Sequence, residues 1–248
     1  MAQYLASAFA QHPLSTASIP ATLLLVFALG LRHGADPDHL TAIDGLSRIR
    51  PSRAIGVLFA LGHGLLVTLL AAGIGRLLSN RLTFLQPWLL VSIGVMNLWR
   101  LRPRASNRSA SARPLVAQPF LLGIILAAGF ETGSQLSVII LGGYLNVILL
   151  GAVFTLGMVL TDGLDGWLAA ATQRLAAQGG VDAQAASRFL GVLVVVYAFS
   201  LAAAEWMGFD FDRWALPLGV ALFACTIGPR VWMRARAYRH ARAALAES

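Results

Sequence analysis

Seven apolar stretches, separated by short polar or glycine-rich segments, set the pattern of this chain. They cover residues 16–34, 53–78, 85–101, 119–141, 146–171, 188–208 and 214–232. Each is near the roughly 17–25 residues that an α-helix needs to cross a bilayer, and each is too long for a barrel strand. The pattern therefore predicts an all-α polytopic membrane protein of about seven transmembrane helices. Gly142-Gly143-Tyr144-Leu145-Asn146 is a turn signal that splits the fourth helix from the fifth.

Composition agrees. Of 248 residues, 57% are hydrophobic and 12% charged, and the mean hydropathy is +0.70. Soluble domains carry about 25% charged residues. All 19 basic residues are arginine, and the formal charge is +8. Their placement argues for topology rather than for nucleic acid. With the N-terminus outside, fifteen fall in or beside the segments 35–52, 102–118, 172–187 and the C-terminal tail. Arg76, Arg81 and Arg213 fall on the other side, and Arg32 lies in the first helix. This positive-inside bias favours an odd helix count, N-out and C-in. Trp88, Trp99, Trp206, Trp214 and Trp232 fall near helix ends, as an aromatic belt would place them. The basic segment 102–118 reads as a flexible cytoplasmic loop, and 234–248 as a basic cytoplasmic tail. Cys225 is the only cysteine, which excludes an internal disulfide and a multi-thiolate metal cage. Residues 1–20 lack the basic-then-apolar order of a signal peptide.

One segment breaks the apolar pattern. His33-Gly34-Ala35-Asp36-Pro37-Asp38-His39 places two histidines and two carboxylates at the end of the first apolar run. Each buried ionisable group costs about 2.5–3.5 kcal/mol in a bilayer on insertion scales, so four together need a compensating partner. A divalent metal ion fits, because imidazole and carboxylate are its ligands. His33, Asp36 and His39 follow one another at three-residue spacing and share a helix face. Asp38 would point elsewhere in an unbroken helix. Pro37 has no N–H for the carbonyl of His33, so the helix is expected to kink or unwind there and bring Asp38 round. Broken helices are a known way to build ion sites in transporters.

Further polar residues lie within the other apolar runs. His63 sits between Gly62 and Gly64, which permit close helix approach. Glu131 and Gln135 share a face of the fourth helix, where Arg32 is an alternative partner for Glu131. Asp162 and Asp165 are three apart in the fifth helix and are expected to face the same polar interior. Asn97 and Gln173 could act as polar glue between helices. Phe-Ala-Leu-Gly occurs at 27–30 and 59–62, with Phe-Thr-Leu-Gly at 154–157, a recurrence that a Leu/Ala/Gly-rich chain can produce by chance.

At these residues the chain resembles the nickel/cobalt transporter family of membrane permeases. The family signature, Arg-His-Ala-X-Asp-Ala-Asp-His, stands here as Arg32-His33-Gly34-Ala35-Asp36-Pro37-Asp38-His39, followed by Thr41-Ala42-Ile43-Asp44. Leu61-Gly62-His63 matches the family's Leu-Gly-His. Gly129-Phe130-Glu131-Thr132 resembles its Gly-Phe-Asp-Thr, and Gly157-Met158 with Asp162 and Asp165-Gly166 resembles its Gly-Met…Asp-X-X-Asp-Gly. The motifs occur in order over residues 32–166; the last third of the chain matches only in hydropathy. Pro37 replaces the usual alanine, Glu131 an aspartate and Gln135 an acid, which bears on metal preference. Family members carry the signature on the second of eight helices, so the resemblance implies one N-terminal helix fewer here.

The resemblance implies uptake of Ni²⁺, Co²⁺ or both across the cytoplasmic (inner) membrane by a single transmembrane transporter domain, residues 1–248. The metal residues expected are His33, Asp36, Asp38, His39, His63, Glu131, Asp162 and Asp165. The ion is cargo, no resident cofactor is expected, and the expected partners are the ion and the lipid bilayer, without nucleic acid or an obligatory protein. Binding should weaken as the histidines protonate near pH 6. Export of the same metals is the alternative direction. An intramembrane enzyme is disfavoured, because His-Glu-X-X-His and Gly-X-Ser-X-Gly are absent. No P-loop is present for direct ATP use.

Overall fold

The computed structural model describes residues 19–72, 86–101, 118–129, 145–208 and 212–246. Eight helices and no strand occur among them: α1 (Ile19–His33), α2 (Pro37–Ile49), α3 (Ile55–Ala71), α4 (Gln86–Leu101), α5 (Pro119–Gly129), α6 (Val147–Ala177), α7 (Val181–Trp206) and α8 (Asp212–Ala246). Helix α6 is the axis of the molecule, packing against α1, α2, α3, α7 and α8. Its start is capped by Asn146, whose Oδ1 accepts from the N–H groups of Ile148 and Leu149 at 3.0 and 3.2 Å.

Helices α6 and α7 are each long and apolar enough to cross a membrane, and α1 with α2 passes as one span bent by 54°. Four shorter apolar helices accompany them: Ile55–Ala71, Pro87–Trp99, Pro119–Ala128 and Pro217–Trp232. Large side chains such as Leu24, Leu156, Leu160 and Val192 point outward from the bundle. An apolar perimeter around a polar centre inverts the pattern of a soluble protein and marks a membrane protein. Trp88, Trp99, Trp206 and Trp232 are exposed, and the Trp88 and Trp206 rings meet at 5.4 Å.

The segments expected as polar connections depart most from the sequence reading. Hydropathy places residues 35–52 in a connecting segment, yet Pro37–Ile49 is a helix, buried from Pro37 to Ser47. The cause is local. Pro37 cannot donate to His33, so that carbonyl takes the Asp36 N–H at 2.9 Å and α1 ends. Pro37 then occupies the first turn of α2, where its missing N–H costs nothing. The chain unwinds over 34–36, as expected of Pro37, and the proline then starts the next helix. Residues 172–187 are also mostly helical: α6 continues to Ala177 and α7 begins at Val181, leaving a link at 178–180 that turns on Gly179 (φ +87°). The basic tail continues α8 to Ala246, in keeping with its alanine- and arginine-rich composition. The 102–118 loop, Gln118 apart, lies outside the described residues.

The recurrent Phe-X-X-Gly segments lie at helix crossings. A Cβ on Gly30 would stand 2.1 Å from the carbonyl oxygen of Phe154, and one on Gly157 would stand 2.4 Å from that of Phe27. The α3–α5 crossing repeats this reciprocity: a Cβ on Gly62 would stand 2.0 Å from Phe120 O, and one on Gly123 2.2 Å from Phe59 O. Phe120-Leu121-Leu122-Gly123 is thus a fourth segment of the same kind. These glycines let backbones touch and draw α1, α3, α5 and α6 tightly together. That close packing carries His63 to the other histidines.

Candidate metal centre

His33 ends α1, His39 lies in the first turn of α2, and His63 lies in the middle of α3. All three are fully buried. Their ring centroids are 4.4–4.9 Å apart, and one nitrogen from each ring lies within 4.8 Å of the others. The bend between α1 and α2 sets His33 and His39 against each other. The glycines beside His63 set its depth: a Cβ on Gly64 would stand 2.1 Å from Thr155 Oγ1 on α6, opposite the contact of Gly62 with α5.

Two of the rings are oriented by carboxylates. His33 Nδ1 donates to Asp36 Oδ2 at 2.9 Å, and His39 Nδ1 donates to Asp162 Oδ2 at 3.1 Å. These partners assign a proton to Nδ1 and, in a neutral ring, leave Nε2 as a lone pair. His39 Nε2 is buried and has no hydrogen-bond partner among the described residues. His33 Nε2 and His63 Nε2 are 2.9 Å apart. With the His33 proton on Nδ1, His63 Nε2 is the donor of this pair. With metal–nitrogen bonds of about 2.1 Å, two adjacent ligands at a right angle would stand about 3.0 Å apart. Carboxylates behind imidazoles are the usual way in which proteins aim histidines at a metal.

The acidic residues divide. Asp36 and Asp162 stand behind histidines. Asp38 is buried in the first turn of α2, and its Oδ2 has no hydrogen-bond partner among the described residues. Asp165, expected to face the same interior, is turned to Arg230 of α8. Glu131 and Gln135 lie outside the described residues, and Arg32 is half-buried.

Two residues of this interior were read differently from the sequence. Arg230 was counted among the topology-setting arginines, yet it is fully buried, with its two terminal nitrogens on Asp165 Oδ1 and Asp44 Oδ1. Asp44, noted only as part of a motif, also accepts from Arg48 Nε at 2.8 Å. Arg48 continues to Ser187 Oγ at 3.2 Å, and Ser187 donates to Gln173 Oε1 at 3.1 Å. Gln173 thus joins α6 to α7. Asn97 is buried and donates within its own helix to the Ile93 carbonyl at 2.9 Å.

Residues 20–99, which hold all three histidines, match the NicO family model, described as high-affinity nickel-transport protein. The match covers about a third of the chain. The chain is 30% identical over 217 residues to a high-affinity nickel transport protein of Cupriavidus necator, covering 64% of this chain and 60% of that protein. It is 27% identical over 199 residues to the nickel transporter NixA of Staphylococcus aureus, with 58% and 59% covered. A shorter match, 36% over 68 residues, joins it to the cobalt transport protein NhlF of Rhodococcus rhodochrous, with 25% and 19% covered. The chain spans about three fifths of the length of the first two relatives. No solved structure matches it. The matched segment carries His33, Asp36, Asp38, His39, Asp44 and His63, whereas Asp162, Asp165 and Arg230 lie beyond it.

Proposed function

We propose that this chain is a multi-pass permease of the cytoplasmic membrane that moves Ni²⁺, Co²⁺ or both inward, with its N-terminus outside. The observation that carries this reading is the buried trio His33, His39 and His63, with ring nitrogens within 4.8 Å and two rings backed by Asp36 and Asp162. Nitrogen donors without thiolate suit these ions, though also Zn²⁺. Asp38 adds a hard oxygen donor at the same helix start. The names of the relatives favour nickel first and cobalt second.

The path would run along the seam of α1 and α2 against α6. Asp162 is fifteen residues from either end of the 31-residue α6, so the trio sits at mid-depth on that helix. Membrane potential supplies about 2.3 kcal/mol per charge per 100 mV, so a dication gains about twice that on moving inward. The purified full chain, reconstituted in liposomes with an interior-negative potential, should accumulate ⁶³Ni²⁺. His33→Ala and Asp38→Ala should abolish accumulation while the protein is still produced and inserted. Native-level accumulation by either variant would refute this site.

A further inference from the structure

A second polar cluster lies beside the histidines on the same two helices. Asp44 is five residues beyond His39 on α2, and Asp165 is three beyond Asp162 on α6. At about 1.5 Å per residue, these offsets are about 7.5 and 4.5 Å along the two axes. Both lead toward the same end of the bundle, where Arg174 of α6 donates to the Pro51 carbonyl at 3.1 Å and Arg48, Arg50 and Arg53 gather. By the positive-inside argument this end is cytoplasmic. An ion leaving the trio inward along the seam therefore meets Asp44 and Asp165 next.

That place already holds a cation. The Arg230 guanidinium bridges the two carboxylates with one terminal nitrogen on each, and all three side chains are at most 1% exposed. Arginine stays protonated in proteins, so this charge cannot be shed as a proton. It can only move away or stay. Asp165 Oδ2 is buried and has no hydrogen-bond partner among the described residues, which leaves an oxygen donor beyond those the guanidinium uses. Carboxylate oxygens are ligands that divalent cations take readily. Arg230 directly follows Pro229, which cannot donate to the Cys225 carbonyl, so α8 lacks one helix bond just before the arginine. Interruptions of this kind are where helices bend.

We infer that Asp44 and Asp165 form a second, transient divalent-cation site on the inward side of the histidine trio, and that Arg230 fills it at rest as the inner gate. The inference rests on the proposed transport reading. A dication held by His33, His39 and His63 lies within one to two helix turns of the guanidinium and repels it. As Arg230 swings out with the segment after Pro229, Asp165 and the Oδ1 of Asp44 are freed for the ion, while Asp44 Oδ2 stays with Arg48. When the ion leaves, the arginine returns and neutralises them. Arg48 stays on Asp44 throughout while Arg230 and the ion alternate beside it, and the passage is never open from end to end.

Counting bound metal separates this role from that of a plain structural clamp. Equilibrium dialysis of the purified full chain against ⁶³Ni²⁺ should give one ion per native chain. Arg230→Gln removes the resident cation and should raise this to two, while liposome uptake falls about tenfold or more because the ion is trapped. Adding Asp44→Asn and Asp165→Asn to Arg230→Gln should return the count to one. One ion on Arg230→Gln, or two on the triple variant, would overturn the inference while leaving the histidine site standing. A native chain that binds none would overturn both readings. Should Arg230→Gln fail to fold, Asp165→Asn decides, since it leaves Arg230 paired with Asp44. It should keep one bound ion and lose about tenfold or more in uptake, and uptake within twofold of native would overturn the inference.

Discussion

The histidine trio and the Arg230 network are neighbours on α2 and α6, yet they solve the problem of buried polarity in opposite ways. In the trio, His33 and His39 spend their Nδ1 protons on carboxylates and turn lone pairs inward, so positive charge is what the cluster lacks. In the network, Asp44 and Asp165 meet Arg230 and Arg48, so charge is already balanced. On the proposed reading the first arrangement receives a cation. The second is complete until something removes the guanidinium. The difference assigns distinct tasks to two clusters that a count of intramembrane acids would merge.

The largest effect expected is on the trio alone. His39→Ala or His63→Ala deletes a nitrogen donor, and Ni²⁺ binding measured by dialysis should fall at least about a hundredfold. The ion network is untouched, so thermal unfolding in detergent should shift by no more than a core truncation requires. A variant that kept native affinity would show that the buried nitrogens do not hold the ion.

Next in size is the network. Arg230→Ala leaves two carboxylates buried without their cation, a loss of about 3–5 kcal/mol when one partner of a buried pair is removed. Thermal unfolding of the metal-free protein should reveal it. Neutralising Arg230 together with Asp165, as Arg230→Met with Asp165→Asn, should recover most of the loss, because Asp44 keeps Arg48 and buried ion pairs are often replaceable by uncharged groups. If the double variant were as unstable as the single one, packing of the arginine stem, rather than charge balance, would be the reason for its burial.

The two clusters also differ in how far the sequence revealed them. His33, Asp36 and His39 sit within seven residues, and Pro37 forces the break that gathers them, so local chemistry was enough. His63 was marked by its flanking glycines, which do touch α5 and α6. The network joins residues 65 and 186 positions apart. Arg230 also belongs to a run of arginines near the C-terminus, where topology explains basic residues without any partner. The one available signal was Asp44, an acid next to an apolar span with no evident counter-charge nearer than Arg48. Helix extents were legible where apolar runs end in turns, as at Asn146. They were not legible where polar residues continue a helix, as in α2 and the start of α7, since hydropathy marks membrane burial and α2 is buried by protein.

Between the two clusters stands Asp162, and its removal tests whether the trio depends on its carboxylates. Asp162→Asn keeps an acceptor for His39 Nδ1–H but loses the negative charge that strengthens the ring as a donor. Affinity for Ni²⁺ should fall about 10–100-fold, the usual cost of altering a group behind a metal ligand. The same change at Asp165 should leave affinity at the trio within about threefold, although the two acids are one turn apart. Equal losses would mean that both acids serve one site, and the division between the clusters would fail.

The smallest effect is expected at the far end of the network, where Arg48 reaches Ser187 and Ser187 reaches Gln173. Ser187→Ala removes both bonds in a partly buried place, so it should cost about 0.5–1.5 kcal/mol in unfolding free energy. Because Asp44 keeps Arg48 Nε and Arg230, the charge balance at the inner carboxylates is unchanged. Ni²⁺ affinity and uptake should both stay within about twofold of native. A large fall in uptake with little loss of stability would extend the gate outward, making the α6–α7 contact a moving part rather than the fixed wall against which Arg230 moves.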